Sequence, residues 1–231
     1  MYTDAYLAKF VLPEDLMQTL KNSNCLCYPE TKEQLIEMCY GPTHSSKFDV
    51  CYSIDGKGLV KEAEVVRCKN GTAVNFMEDY MRRRDPDCMR IGDDLPTDKP
   101  RFADVYGYKF SKLRKETMDW LGSQRLIMLP FHAGGRYYGY DSLMICPMNA
   151  AFFALSIIYV APPFRHTHFN GKQVVVHQRS ENLHEVFAYN LYPGPSAKKG
   201  VFSMLLDIGE NEGWITNHAS AARLESPYEM E

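Results

Sequence analysis

Two adjacent lysines, Lys198 and Lys199, follow the turn Tyr192-Pro193-Gly194-Pro195 and stand in the first turn of a helix expected to start at Ser196, its N-cap. A cation there costs about 0.3–1 kcal/mol relative to an acid, because the N-terminal end of a helix is already positive. The pair has two readings. Both side chains can extend into solvent at small cost. Alternatively, crowding by a second cation and the helix end lowers the pKa of one amine until it is neutral and able to coordinate a metal or accept a proton. His218 lies on the strand expected to follow, Trp214–His218, where its imidazole can return beside that amine. Alone it reads as a hydrogen-bonded structural histidine, and only a partner makes it a ligand.

Other residues offer rival chemistry. Four of the 7 histidines fall within one stretch, His166, His168, His177 and His184. His166-x-His168 on a strand presents two imidazoles on one face, which suits zinc, iron or manganese in a histidine-rich metalloenzyme, as in cupin-like barrels; a surface or hydrogen-bonding role is the other reading. Arg82, Arg83 and Arg84 are either a solvated charge run or contain a guanidinium that grips a planar carboxylate in two places. Residues 133–139, AGGRYYG, have the glycines of an anion-binding nest, but their spacing suits a turn between strands better. A phosphate-binding G-x-x-x-x-G-K-[ST] loop, a serine nucleophile elbow and zinc-finger spacing do not occur in the sequence.

The run YPGPSAKKGVFSMLLDIGENEGWITNHASA, Tyr192 to Ala221, resembles the phosphoenolpyruvate carboxykinase segment Tyr-Gly-Gly-Glu-x-Lys-Lys-Gly-x-Phe-Ser that continues to His-x-Ser-Ala. The resemblance implies that Lys199 and His218 hold a catalytic Mn²⁺ (or Mg²⁺), that Tyr192 contacts substrate, and that Lys198 supplies positive charge as a catalytic residue. One extra residue separates Tyr192 from the lysines relative to the family. Arg84-Asp85-Pro86-Asp87 resembles the family's Gly-Arg-Ser-Pro-Lys-Asp, with Arg83 where that motif has glycine, and makes Arg84 the candidate grip on the substrate carboxylate. Nearly end to end, the chain also resembles an uncharacterised bacterial family distantly related to these enzymes, through PFHAGG and YVAPPFRHTHFNGKQVVVH.

By this resemblance the chain is expected to be a single substrate-binding-type α/β domain over residues 1–231. It would bind a small dicarboxylate or phosphoenolpyruvate-type ligand and a divalent metal, as the substrate half of a carboxy-lyase (decarboxylase). The nucleotide-binding domain is expected to lie outside it as its missing C-terminal partner. A nucleotide then enters only with that domain, and the chain alone is not expected to transfer phosphate. Two alternatives remain: a non-catalytic carboxylate-binding or protein-interaction module, and a metalloenzyme using His166 and His168.

Patterning supplies the elements that must position these groups. A helical N-terminal segment (1–45) is expected, with Pro13 opening a helix that carries Leu16, Met17 and Leu20, and a capping box at Thr31 and Gln34. From Asp49 to Phe76, Val-rich and Tyr-rich runs broken by Asp55-Gly56 and Asn70-Gly71 predict antiparallel hairpins. Residues 81–101 read as a long surface loop around at most one short strand. Phe110, Leu113, Thr117, Trp120 and Leu121 recur at helical spacing ahead of a buried strand, Leu126–Leu129. Strands at Leu143–Cys146, Ile157–Val160, Val174–Val176 and Val186–Tyr189, a helical piece at Asn149–Leu155, and a helix carrying Val201, Leu205 and Ile208 complete a mixed sheet flanked by helices, the fold class α/β.

Composition narrows the partners. With 26 Lys+Arg against 29 Asp+Glu, the net charge of −3 offers no long-range attraction to nucleic acid or anionic lipid. At 45% hydrophobic residues the chain of 231 can bury a core, yet its longest apolar stretch, Ala150 to Ala161, falls short of a membrane span. An odd set of 7 cysteines without a C-x-x-C pair, and an N-terminus unlike a secretory signal, predict reduced thiols and a cytoplasmic protein.

Overall fold

The structure, a computed structural model, describes residues 10–28, 30–31, 33–34, 47–54, 57–67, 73–76, 86–134, 139–147, 169, 172–189, 200–217 and 219. Helix α1, Glu14–Asn22, starts where Pro13 fixes the backbone and offers its carbonyl to the Met17 N–H at 3.0 Å. Glu14 and Asp15 in its first turn and Lys21 in its last complement the helix dipole. The Thr31 hydroxyl accepts the Gln34 N–H at 3.2 Å, while the Gln34 side chain returns to the N–H of Glu30, one residue before its expected capping-box partner. The N-terminal segment is not wholly helical. Strand β1, Cys25–Cys27, runs parallel to a later strand, and its three residues are too short for a periodicity to show.

Strands β2, Lys47–Ile54, β3, Lys57–Arg67, and β4, Ala73–Phe76, form an antiparallel sheet. Ile54 pairs with Lys57, so β2 and β3 join as the antiparallel hairpin that the sequence predicts; Asp55-Gly56 lies outside the described residues. After a 3₁₀ turn at Pro86–Cys88 comes β5, Met89–Ile91, the one short strand expected in residues 81–101. It is not a surface strand, because Cys88 and Ile91 are buried.

Helix α2, Phe102–Tyr106, ends at Gly107, whose φ of 76° suits a left-handed C-terminal cap. Helix α3, Phe110–Gly122, buries Phe110, Leu113 and Met118 but leaves Trp120 exposed, so the sequence periodicity overstates its apolar face by one residue. Strands β6, Arg125–Gly134, and β7, Gly139–Pro147, are antiparallel, and β1 joins the free edge of β6 in parallel. Leu126 and Met128 pack with Leu20 beneath α1, while Ile127 on the opposite face is also fully buried, so both faces of β6 are covered.

Strands β8, Val174–Ser180, and β9, Leu183–Tyr189, are antiparallel, and β5 pairs parallel to β8. Helix α4, Val201–Asn211, follows. The described strands thus make two small mixed sheets and one antiparallel sheet, rather than a single mixed sheet. The class is mixed α/β with flanking helices. Val174 and Val176 point toward α2 and α3, where Phe102, Phe110 and Leu113 close a core and the Tyr189 hydroxyl bonds Thr117 Oγ1 at 2.7 Å. Gly92 is required at the end of β5: a Cβ there would lie 2.6 Å from Gln178 Oε1 and 2.8 Å from Phe110.

The expected strand Trp214–His218 does not form over its described part, 214–217. Gly213, at φ 79°, ends α4 in the left-handed region, and Ile215 beyond it is 98% exposed, without the burial a strand would need. No helix among the described residues is long and apolar enough to cross a membrane. The expected elements at Asn149–Leu155 and Ile157–Val160, and the cap at Ser196, lie outside the described residues.

Candidate functional site

Strand alternation divides β8 between two environments. Val174, Val176 and Gln178 face α2 and α3, so Val175, His177 and Arg179 face the other way. The register of β9 sets Val186 opposite His177 and His184 opposite Arg179, on that same face. Helix α4 covers it. A Cβ at Gly200 would sit 3.0 Å from Val186 Cγ1, so the lack of a side chain lets the start of the helix close onto β9. Two turns on, Asp207 arrives over Arg179 and His184.

The result is a buried polar network in an otherwise apolar layer. His177 Nε2 and His184 Nδ1 are 3.0 Å apart, and His184 Nδ1 lies 3.8 Å from Asp207 Oδ2. Asp207 Oδ1 accepts from Arg179 Nη1 at 3.1 Å, and Asn211 Nδ2 donates to Oδ2 at 3.3 Å. Arg179 also donates to Asp93 through Nη2 at 2.9 Å and Nε at 3.1 Å, and its backbone N–H reaches the same carboxylate at 2.7 Å. The Leu95 and Pro96 carbonyls, at 3.1 and 3.3 Å, accept from Nη2 as well.

Burial first, and the facing His184 second, push the His177 pKa down to about 4, so its ring is neutral at pH 7. Burial also lowers His184, against the pull of Asp207. For Asp93, burial acts to raise the pKa, but the Arg179 guanidinium and the N–H groups of Arg179 and Leu95 outweigh it and hold the carboxyl below its usual value. The hydrogen bonds to Asp93 in turn raise Arg179.

Residues 12–158 and 155–231 match the family described as a domain of unknown function, DUF4914. The chain belongs to that family. No curated protein and no solved structure matches it.

In this DUF4914 chain, His177, His184 and Asp207 bring together two imidazole nitrogens and one carboxylate oxygen, all within 4.8 Å of one another. Donors of this kind suit a first-row divalent cation. Arg84, Tyr192, Lys198, Lys199 and His218, and the rival pair His166 and His168, lie outside the described residues. Sequence reading did not single out Asp207. Its signal was an acidic residue within the apolar run Leu205, Leu206 and Ile208 of α4, where only a buried partner makes a charge acceptable.

A second feature of DUF4914 here is a cleft of about 210 Å³ bordered by Arg114, Gln178, Ser180 and Glu185. It is poorly suited to a carboxylate, because Arg114 already donates to Glu185 at 3.0 and 2.8 Å and also pairs with Asp15.

Proposed function

We propose that this DUF4914 chain is a phosphoenolpyruvate carboxykinase-like substrate domain, which binds a small dicarboxylate beside a divalent metal. The observation that carries the reading is the run Tyr192 to Ala221, with its lysine pair, its glycine and its later histidine at the family's spacing. A helix in the later part of the run is consistent with the reading: α4 spans Val201–Asn211, with Gly200 at its N-cap. The mixed α/β class is also consistent with it.

In this reading Arg84 and Tyr192 hold the dicarboxylate, through the fork of a guanidinium and a phenol hydroxyl. Lys199 and His218 would hold Mn²⁺ or Mg²⁺. A neutral amine and an imidazole are reasonable donors for Mn²⁺, and less so for Mg²⁺, which prefers oxygen. The ion would supply positive charge to stabilise the enolate left when a β-keto dicarboxylate loses carbon dioxide. Lys198 adds a second positive charge beside it. Phosphoryl transfer is not assigned to these residues, because no phosphate-binding loop occurs among them.

The test is Mn²⁺ binding, followed by electron paramagnetic resonance, to the purified chain carrying His184→Ala, which removes the His177, His184 and Asp207 donor set. Lys199→Ala and His218→Ala are each expected to weaken binding at least tenfold. Unchanged affinity in both variants would remove the carboxykinase-like site and leave a non-catalytic carboxylate-binding module.

A further inference from the structure

We propose that His177, His184 and Asp207 form a divalent transition-metal site of their own, separate from Lys199 and His218, which takes a zinc-class ion with water as a further ligand. The donor spacing is close to what such an ion needs. Tetrahedral coordination with bonds of about 2.1 Å separates donor atoms by about 3.4 Å. The two adjacent separations here, 3.0 and 3.8 Å, straddle that value. All three donor atoms lie within 4.8 Å of one another, and movement of the His184 and Asp207 side chains toward a shared ion would complete the arrangement.

The surroundings fit a ligand set. Asp207 is oriented by Arg179 through Oδ1, which leaves Oδ2 toward the imidazoles, and Arg179 is itself fixed by Asp93. Outer partners of this kind aim metal ligands and hold them in place. Asp93 and Asp207 share the guanidinium of Arg179 as an ion-pair partner, so Arg179 is held between two carboxylates and its position fixes that of Asp207.

His177 is 2% exposed, whereas the His184 side chain is 20% exposed, so His184 is the imidazole of the pair nearer to solvent. Two nitrogens and one oxygen, with no thiolate, favour Zn²⁺, Fe²⁺ or Mn²⁺ over Ca²⁺ and Mg²⁺. The three ligands come from β8, β9 and α4, so the ion would pin α4 to the sheet and fix the helix that follows the lysine pair.

Co²⁺ titration of the chelator-stripped full chain, read by visible absorption, tests the site, with Zn²⁺ displacement and thermal melting as further readouts. Wild type is expected to develop the intense band of four-coordinate Co²⁺, and to melt roughly 5–10 °C higher at a hundredfold excess of Zn²⁺ over its Kd. His184→Ala and the isosteric Asp207→Asn should each lose the band and the shift, with far-ultraviolet circular dichroism unchanged. The double variant Lys199→Ala, His218→Ala should keep both. A wild type without the band, or a band that survives His184→Ala, overturns the proposal. A band lost only in the lysine–histidine double variant also overturns it, while supporting the carboxykinase-like site.

Discussion

Replacing Arg179 with methionine removes the one cation that joins Asp93 to Asp207 and keeps most of the side-chain volume. The side chains of Arg179, Asp93 and Asp207 are 6, 7 and 10% exposed, so neither carboxylate can recover its lost partner from bulk water. Breaking a buried pair in this way costs about 3–5 kcal/mol, a large part of the roughly 5–15 kcal/mol that stabilises a domain. With a urea dependence of about 2–3 kcal/mol per M, the unfolding midpoint should fall by about 1–2.5 M at pH 7. The deficit should also depend on pH. In the wild type the Asp93 pKa is depressed, so its contribution is present above the unfolded carboxyl pKa and is lost only as pH falls through the lower folded value. In the variant Asp93 is desolvated without its cation, its pKa rises, and protonation relieves the strain as pH falls. The gap between the two proteins should therefore narrow from pH 7 to pH 5. Urea denaturation followed by circular dichroism at both values measures it. A loss below about 1 kcal/mol at pH 7, or a gap independent of pH, would refute the view that this network is a buried, charge-matched unit.

Titration of the histidines by nuclear magnetic resonance should place the His177 midpoint near 4 and that of His184 below 6.5. Because the folded His177 pKa is depressed, its linked stability is full above about pH 6.5 and is lost as pH falls from there toward 4, by about 3 kcal/mol in all. A His177→Gln variant should show a flatter profile across that window in denaturant titrations. Gly92→Ala would force a methyl group within 2.9 Å of Gln178, Phe110 and Val176, and a loss of about 1–3 kcal/mol should appear as a lower melting temperature. Tyr189→Phe deletes the 2.7 Å bond to Thr117 and should cost about 1 kcal/mol in urea unfolding, with the near-ultraviolet spectrum otherwise retained.

Strongly periodic segments were legible in the sequence. Helices α1, α3 and α4, the paired strands β2 and β3, and the buried strands β6 and β8 all follow from apolar spacing and turn residues. What the sequence could not convey was partnership over distance. Strand β1 has three residues and becomes a strand only by pairing with β6, about 100 positions later. Residues 214–217 look like a strand by composition, yet Gly213 turns them away from any pairing partner among the described residues. The network at His177 shows the same limit. The histidine-rich stretch signalled metal chemistry, but the closest visible pair, His166 and His168, drew attention from His177 and His184, which share a face only through the β8–β9 register. Asp207 joins them through the packing of α4, which no local spacing encodes.

In the proposed function, a divalent ion and a small carboxylate meet at the residues around Lys198 and Lys199. Electron paramagnetic resonance of Mn²⁺ bound to the full chain, with and without oxaloacetate, tests it most directly. Oxaloacetate should change the spectrum of bound Mn²⁺ in the wild type and fail to do so in Arg84→Ala, while Mn²⁺ affinity stays the same in that variant. A spectrum indifferent to oxaloacetate in the wild type, or a response of wild-type size that survives in Arg84→Ala or in the variant lacking Lys199 and His218, would contradict it.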